Sequence, residues 1–305
     1  MTFSLILLLS AWTNPAWSQV QPDVIYGEDG RLDLHQVQNP KIVKMAECTV
    51  ALFKEDRVKI DPERKVAVLT TKNYGEARRL CPEEPFRDQN VGAFCSGSLV
   101  APATIMTAGH CVKTEADCKA VRFVFGFGIP KAGAGTPAEL PSSQVYGCAA
   151  IVAREQANSG PDWALLRLDR RVTDRAPLKL SRDGAPAKGT RLFVIGHPAG
   201  LPTKYAGGAA VRDPSPKGYF VTNLDTYGGN SGSAVFNAVT GEVEGILVRG
   251  DLDYVLDQER KCFRSNRVPE DGGRGEDVTD ASIPGALIPK DPPGPAYSEL
   301  LELTK

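Results

Sequence analysis

Histidine is scarce in this sequence: His35, His110 and His197 are the only three in 305 residues. Any chemistry that needs an imidazole near neutral pH must use one of them. Charge of one sign is also missing. The formal net charge is −1 with both signs interspersed, which leaves no basic stripe for nucleic acid or an anionic membrane. The cysteines (48, 81, 95, 111, 118, 148 and 262) lack paired CxxC spacing, so a zinc site is not expected. No glycine-rich phosphate loop follows a strand, and no cofactor or metal is predicted; scattered Asp and Glu leave calcium open. Beyond the first dozen residues no stretch is long and apolar enough to cross a bilayer. No period of roughly 20 to 50 residues repeats, which excludes solenoids and propellers.

What is present begins with MTFSLILLLSAWTNPAWSQ. Its apolar stretch, Phe3 to Trp12, is too short for a membrane span, and Ala16-Trp17-Ser18 places small residues where a signal peptidase would cut. The reading is a signal peptide over 1–18 and a secreted or periplasmic mature protein. No Lys or Arg precedes the apolar stretch, so an uncleaved anchor is the alternative. In an exported chain seven cysteines favour disulfides, and an odd number leaves at least one thiol free or paired with another chain.

Short apolar runs recur along the chain: CTVALF, KVAVLT, GSLVAP, VRFVFGF, GCAAIVA, WALLRLD, TRLFVIG, GYFVTNL, SAVFNA and VEGILVRG. Gly, Pro, Asn or Asp bound most of them, and β-branched or aromatic residues fill them, so they read as strands of an all-β protein. Thirty glycines and 23 prolines fit its many turns. About ten short strands suggest two small barrels or a sandwich. Helical periodicity appears only in SELLELTK (298–305), a short C-terminal helix. The expected layout is an N-terminal segment at 19–41, with a propeptide possible to about 23. An N-terminal barrel at 42–169, a linker at 170–189, a C-terminal barrel at 190–264 and a poorly packed Gly/Pro/acid-rich tail at 265–305 follow.

Three segments carry chemistry. DTYGGNSGSAVF (225–236) crowds Gly228, Gly229 and Gly232 around Ser231, which implies an unusual backbone path. CSGSLVAPATIMTAGHC (95–111) ends with His110 beside Cys111, and a Cys95–Cys111 bridge would pin the loop that holds His110. DWALLRLD opens with Asp162 before a buried-looking strand. Alone, the first is a turn, the second a structural histidine and the third a strand cap. Together they supply what a weak nucleophile needs: a hydroxyl, a base with pKa near 6.5, and a carboxylate to orient that base. His197, in VIGHPAGLP, is the rival base but lacks a nearby acid. His35 reads as a solvated surface residue.

TAGHC, the Asp-Trp-Ala-Leu-Leu stretch and GNSGS resemble the three catalytic blocks of the trypsin/chymotrypsin superfamily of serine peptidases. GGNSGS and the early VIYGEDGR (24–31) resemble the bacterial glutamyl-endopeptidase-like branch. The resemblance spans roughly Val24 to Gly250. It implies two six-stranded antiparallel barrels with the site between them and a protein or peptide substrate. It also implies a catalytic set of His110, Asp162 and Ser231, with an oxyanion hole from the N–H groups of Gly229 and Ser231. A catalytically silent binding protein on this fold, or a serine esterase, are the rival readings.

The departures bear on activation and specificity. Asn230 stands where vertebrate-type relatives carry an aspartate that pairs with a new N-terminus, so Lys41-Ile42-Val43 is not expected to be an activation site. The VIYGEDGR resemblance places the mature N-terminus near Val24. By the same resemblance the primary pocket comprises Asp225, Thr226, Val248 and Gly250, with Arg249 and Asp251 on its rim. Val248 replaces a serine that supports the catalytic aspartate in many relatives. No histidine neighbours Leu247, so Glu preference is not expected. Asp225, six residues before Ser231, implies cleavage after Arg or Lys, unless it caps a strand end or turns outward. Cys118 and Cys148 flank VRFVFGF and would close that loop, while Cys48, Cys81 and Cys262 leave one over.

Overall fold

Alternation between apolar and polar residues gives way to continuous apolar runs in several strands because these strands are covered on both sides. The structure, a computed structural model, describes residues 24–290. The expected signal peptide (1–18) and the C-terminal helix at 298–305 lie outside the described residues. Six strands form the first barrel: β1 (Thr49–Lys54), β2 (Cys95–Ala101), β3 (Thr104–Thr107), β4 (Val121–Phe125), β5 (Val145–Gln156) and β6 (Asp162–Leu168). Their order is β4-β5-β6-β3-β2-β1, and β1 closes the ring on β4, with Val121 opposite Lys54 and Phe125 opposite Val50. In β1, Val50 and Leu52 face the central core, while Ala51 and Phe53 pack with Phe127 and Leu69 on the other side. That double burial explains the unbroken run TVALF.

The second barrel contains β7 (Arg191–Gly196), β8 (Lys204–Asp213), β9 (Tyr219–Thr222), β10 (Ala234–Asn237), β11 (Val243–Arg249) and β12 (Glu276–Asp280). The order β7-β10-β11-β12-β9-β8 closes through the pairing of β7 with β8. All pairings in both rings are antiparallel. Two six-stranded antiparallel barrels with few helices make the protein all-β, as the sequence suggests. Phe193 and Phe236 stack at 4.8 Å and join Leu52, Leu99 and Ile105 in one core that runs across the seam. No regular strand or helix occurs between Leu168 and Arg191. Among the described residues no helix is long and apolar enough to cross a membrane.

Both ends of the described chain depart from the expected layout. Residues 265–305 were to begin a loose tail, yet β12 is inserted between β11 and β9 and is buried throughout. The sequence EDVTD misleads because one apolar residue, Val278, sits among three acids. The acids are buried with partners: Asp277 Oδ2 accepts from Arg249 Nε at 3.0 Å and Arg274 at 2.8 Å, and Glu276 accepts from the Thr226 hydroxyl at 2.7 Å. Burial with a partner offsets the desolvation that an isolated carboxylate would suffer. The barrel therefore extends to Asp280 and not to residue 264. At the other end, strand Arg31–Asp33 adds to β8, so part of the 19–41 segment belongs to the second barrel. Helix Pro40–Ala46 follows, with Pro40 at its first turn and Asn39 capping it through Lys41 N at 3.0 Å. Lys41-Ile42-Val43 lies inside that helix.

Disulfides join Cys95 to Cys111, Cys118 to Cys148 and Cys81 to Cys262. The last spans 181 residues and ties the loop after Tyr74–Arg78 to the Tyr254–Asp257/Cys262–Ser265 hairpin. Cys48 carries no disulfide. Its thiol donates to Ala176 O at 3.0 Å, and burial pushes its pKa up to about 12, so it is not a thiolate at neutral pH.

Candidate active site

His110 sits just after β3, and Asp162 is the first residue of β6, which pairs with β3. That pairing brings an imidazole and a carboxylate together although 52 residues separate them. Asp162 Oδ2 lies 2.7 Å from His110 Nδ1, and Oδ1 accepts the His110 backbone N–H at 3.0 Å. One carboxylate thus holds both ring and main chain of the same residue. Asp162 is buried, whereas the His110 side chain keeps 23% of its surface exposed. A buried acceptor fixed on Nδ1 selects the tautomer with that nitrogen protonated and leaves Nε2 as the basic edge.

The sequence left open what supports Asp162, given Val248 in place of a serine. Val248 is buried. Support comes from His110 N and from Thr279 on β12, whose hydroxyl accepts from Asp162 N at 3.0 Å and donates to Asp162 O at 3.1 Å. Sequence reading missed Thr279, because its strand looked like a tail.

Ser231 lies on the turn before β10. Ser96 N donates to Ser231 O at 2.8 Å, and Cys111 Sγ is 3.7 Å from the same carbonyl. The residue next to His110 therefore touches the residue at the head of the turn. No hydrogen bond joins Ser231 Oγ to His110 Nε2 in this structure. The backbone N–H groups of this turn follow a pattern. Gly228 N donates to the Asp253 carboxylate, Asn230 N to Tyr227 O, Gly232 N to Leu247 O and Ser233 N to Asn230 O. Among the described residues, Gly229 N and Ser231 N make no hydrogen bond.

Two glycines make this path possible. Gly229 has φ +108°, and a Cβ there would lie 2.7 Å from His197 O and 2.8 Å from Gly200 N. Gly232 has φ +90°, and its Cβ would lie 2.1 Å from Ser96 O. Neither conformation nor space admits a side chain. Asn230 is buried, and its Oδ1 accepts from the Ser233 hydroxyl at 3.2 Å. Its side-chain oxygen thus bonds a hydroxyl inside the turn.

The rival base is excluded by its surroundings. His197 is fully buried, its Nδ1 donates to Leu201 O at 3.0 Å, and its Nε2 has no partner. Burial pulls its pKa down to about 4, so it stays neutral without access to solvent or substrate. His35 is exposed, as expected.

The pocket expectation needs correction at Asp225. Its Oδ1 accepts from Tyr26 N at 2.8 Å and its Oδ2 from Gly30 N at 2.7 Å. Both oxygens hold the N-terminal segment, and burial pushes the pKa up to about 6 in spite of those two bonds. The carboxylate is a tether for residues 26–30, not a free counter-charge for a substrate Lys or Arg. Sequence spacing cannot reveal this, because the competing donors lie 195 and 199 residues away. Thr226 donates to Glu276 and is buried, as is Gly250. Arg249 at the rim is likewise committed: it bonds Asp277 and reaches Ala157 O and Gly160 O at 3.1 and 2.8 Å, holding the loop before Asp162. Asp251 caps Leu252 N at 2.9 Å. Cys95, His110 and Cys111 bring potential metal-ligand atoms together, but both sulfurs are joined in a disulfide and offer no thiolate.

Residues 95–246 match the family model of the trypsin-like peptidase domain. Among solved structures the chain is similar to the inactive form of a serine-to-alanine mutant of Rv3671c from M. tuberculosis H37Rv, at 13% identity and TM-score 0.45, over 87% of this chain and 95% of that one. It is similar to the VesB protease of Vibrio cholerae at 15% identity and TM-score 0.47, over 79% of this chain and 63% of that one. A Glu endopeptidase in complex with MPD gives 16% identity and TM-score 0.45, over 92% and 99%. No curated protein matches the sequence.

Proposed function

We propose that this chain, whose residues 95–246 match the model of the trypsin-like peptidase domain, is an exported serine endopeptidase acting on proteins or peptides. The observation that carries this reading is the clamp of Asp162 on both Nδ1 and N of His110 beside the turn that presents Ser231. In the proposed reaction His110 Nε2 takes the Ser231 proton as Oγ attacks the scissile carbonyl. Asp162 holds the ring and stabilises the imidazolium that forms. The oxygen that becomes negative is received by Gly229 N and Ser231 N, which the turn leaves unused while its neighbours bond inward. His110 then protonates the leaving amine, and water releases the acyl group by the reverse sequence. Export agrees with three disulfides, which persist in oxidising compartments.

Casein digestion by the purified mature protein tests the reading. Peptide release that disappears in His110→Ala and Ser231→Ala supports it. Turnover of small esters without peptide release assigns an esterase instead. Tight binding of casein without any turnover assigns a binding protein on the same fold.

A further inference from the structure

Ser96 is the second residue of β2, fully buried in a run of apolar and small residues, and in sequence it looks like a core position. Its polar atoms nevertheless touch three separate segments around the site. Its hydroxyl donates to Gly229 O at 2.8 Å and accepts from His197 N at 2.9 Å. Its backbone N donates to Ser231 O at 2.8 Å. Its own carbonyl accepts from the Thr107 hydroxyl at 2.6 Å, on the strand that leads to His110.

We propose that Ser96 is a positioning residue for the oxyanion hole, fixing Gly229 and Ser231 of the second barrel against the His110 strand of the first. The inference rests on the peptidase reading above and adds a residue to it. Gly229 is a position that needs such a clamp. At φ +108° with no side chain, its peptide planes depend on outside hydrogen bonds for their orientation. A hydrogen bond to Gly229 O fixes the plane on its C-terminal side, while the bond from Gly228 N to Asp253 secures the residue before it. Between these two anchors Gly229 N is left aimed by geometry, without a bond of its own. The second bond of Ser96, from main chain to Ser231 O, orients the other donor residue in the same way. The His197 N–H keeps the Ser96 hydroxyl from rotating, so its proton is directed at Gly229 O. One buried residue thus sets both donors from across the barrel seam, which is the kind of support that keeps a catalytic constellation within a fraction of an ångström.

Ser96→Ala removes the hydroxyl but leaves the backbone bond to Ser231. The expected result is a fall in kcat of about 10- to 100-fold with KM changed less than about threefold, because misalignment acts on the developing oxyanion more than on the bound substrate. Affinity for a peptide aldehyde, which forms a tetrahedral adduct, should fall by the same factor as kcat. Ser96→Thr retains the oxygen and should recover most of the rate. Unchanged kcat and aldehyde affinity in Ser96→Ala, or a rise in KM alone, overturns the inference while leaving the peptidase reading intact. A wild-type protein that neither cleaves peptides nor binds the aldehyde overturns the peptidase reading itself. A wild-type structure with a peptide boronate on Ser231 tests the inference even if the variants fail to fold. Gly229 O still bonded to Ser96 Oγ, with Gly229 N on the boronate oxygen, supports it; a Gly229 carbonyl swung away from Ser96 contradicts it.

Discussion

The two barrels are built by the same rule and read very differently from sequence. The first closes within a continuous stretch of chain, from Thr49 to Leu168, and its strands are dominated by apolar residues. The second is completed from both sides. It takes Arg31–Asp33 at one edge and Glu276–Asp280 within its ring, and it buries charges to do so. Lys204 is 1% exposed and bonds Asp33 Oδ1 at 2.6 Å and Gln89 Oε1 at 2.8 Å; burial lowers its pKa to about 8 in spite of Asp33. Asp277 binds two arginines, and Asp225 binds two main-chain N–H groups. Apolar pattern therefore specifies the first barrel, whereas long-range polar pairing completes the second.

If that contrast is right, removal of a buried charge should hurt the second barrel far more than loss of an ion pair hurts the first. The largest effect is expected for Asp277→Ala, which leaves Arg249, with a 14% exposed side chain, without its counter-charge. A loss of about 3–5 kcal/mol in urea unfolding is expected; a loss below about 1 kcal/mol would mean that Arg249 relaxes into solvent.

A second test uses pH. His197 titrates near 4 in the folded protein against an ordinary 6.5. Above pH 6.5 it is neutral in both states. Between 6.5 and 4 the unfolded chain binds the proton and the folded one does not, so stability falls with falling pH, by ~3 kcal/mol from this residue. Asp225, raised to about 6, acts in the opposite sense, since the folded state takes up its proton first. His197→Gln should therefore lose less stability than wild type between pH 6.5 and 4, measured by denaturant midpoint. Parallel curves for the two proteins would show that His197 is not the buried neutral group described.

The smallest effect is expected at the first barrel's flank. Arg64 and Glu139 pair at 2.5 Å with side chains 57% and 39% exposed. Arg64→Ala should cost less than about 1 kcal/mol, and less still at high salt. A cost comparable to Asp277→Ala would remove the distinction between the barrels.

The same contrast explains how much of the site was legible. His110, Asp162 and Ser231 each stand in a short contiguous motif, so the proposed triad could be picked out from local segments, and the strand runs around them implied barrels. Ser96 and Thr279 were hidden because each looks ordinary in its own segment: one a small residue in a core strand, the other a threonine in an acid-rich stretch. Their contacts with the site exist only after β2 and β12 reach it from 133 and 117 residues away. Asp225 was misread for the same reason, since spacing from Ser231 is local while its partners are not. Cys81 and Cys262 show the limit again: parity announced a leftover thiol, but only the fold identifies it as Cys48.

The central claim is that Ser231 is an activated nucleophile, and labelling with a fluorophosphonate reads this directly. Intact mass and peptide mapping should find one adduct, on Ser231, with labelling lost in His110→Ala and slowed by orders of magnitude in Asp162→Asn. Labelling of another serine, or equal labelling in the His110 variant, would contradict the account.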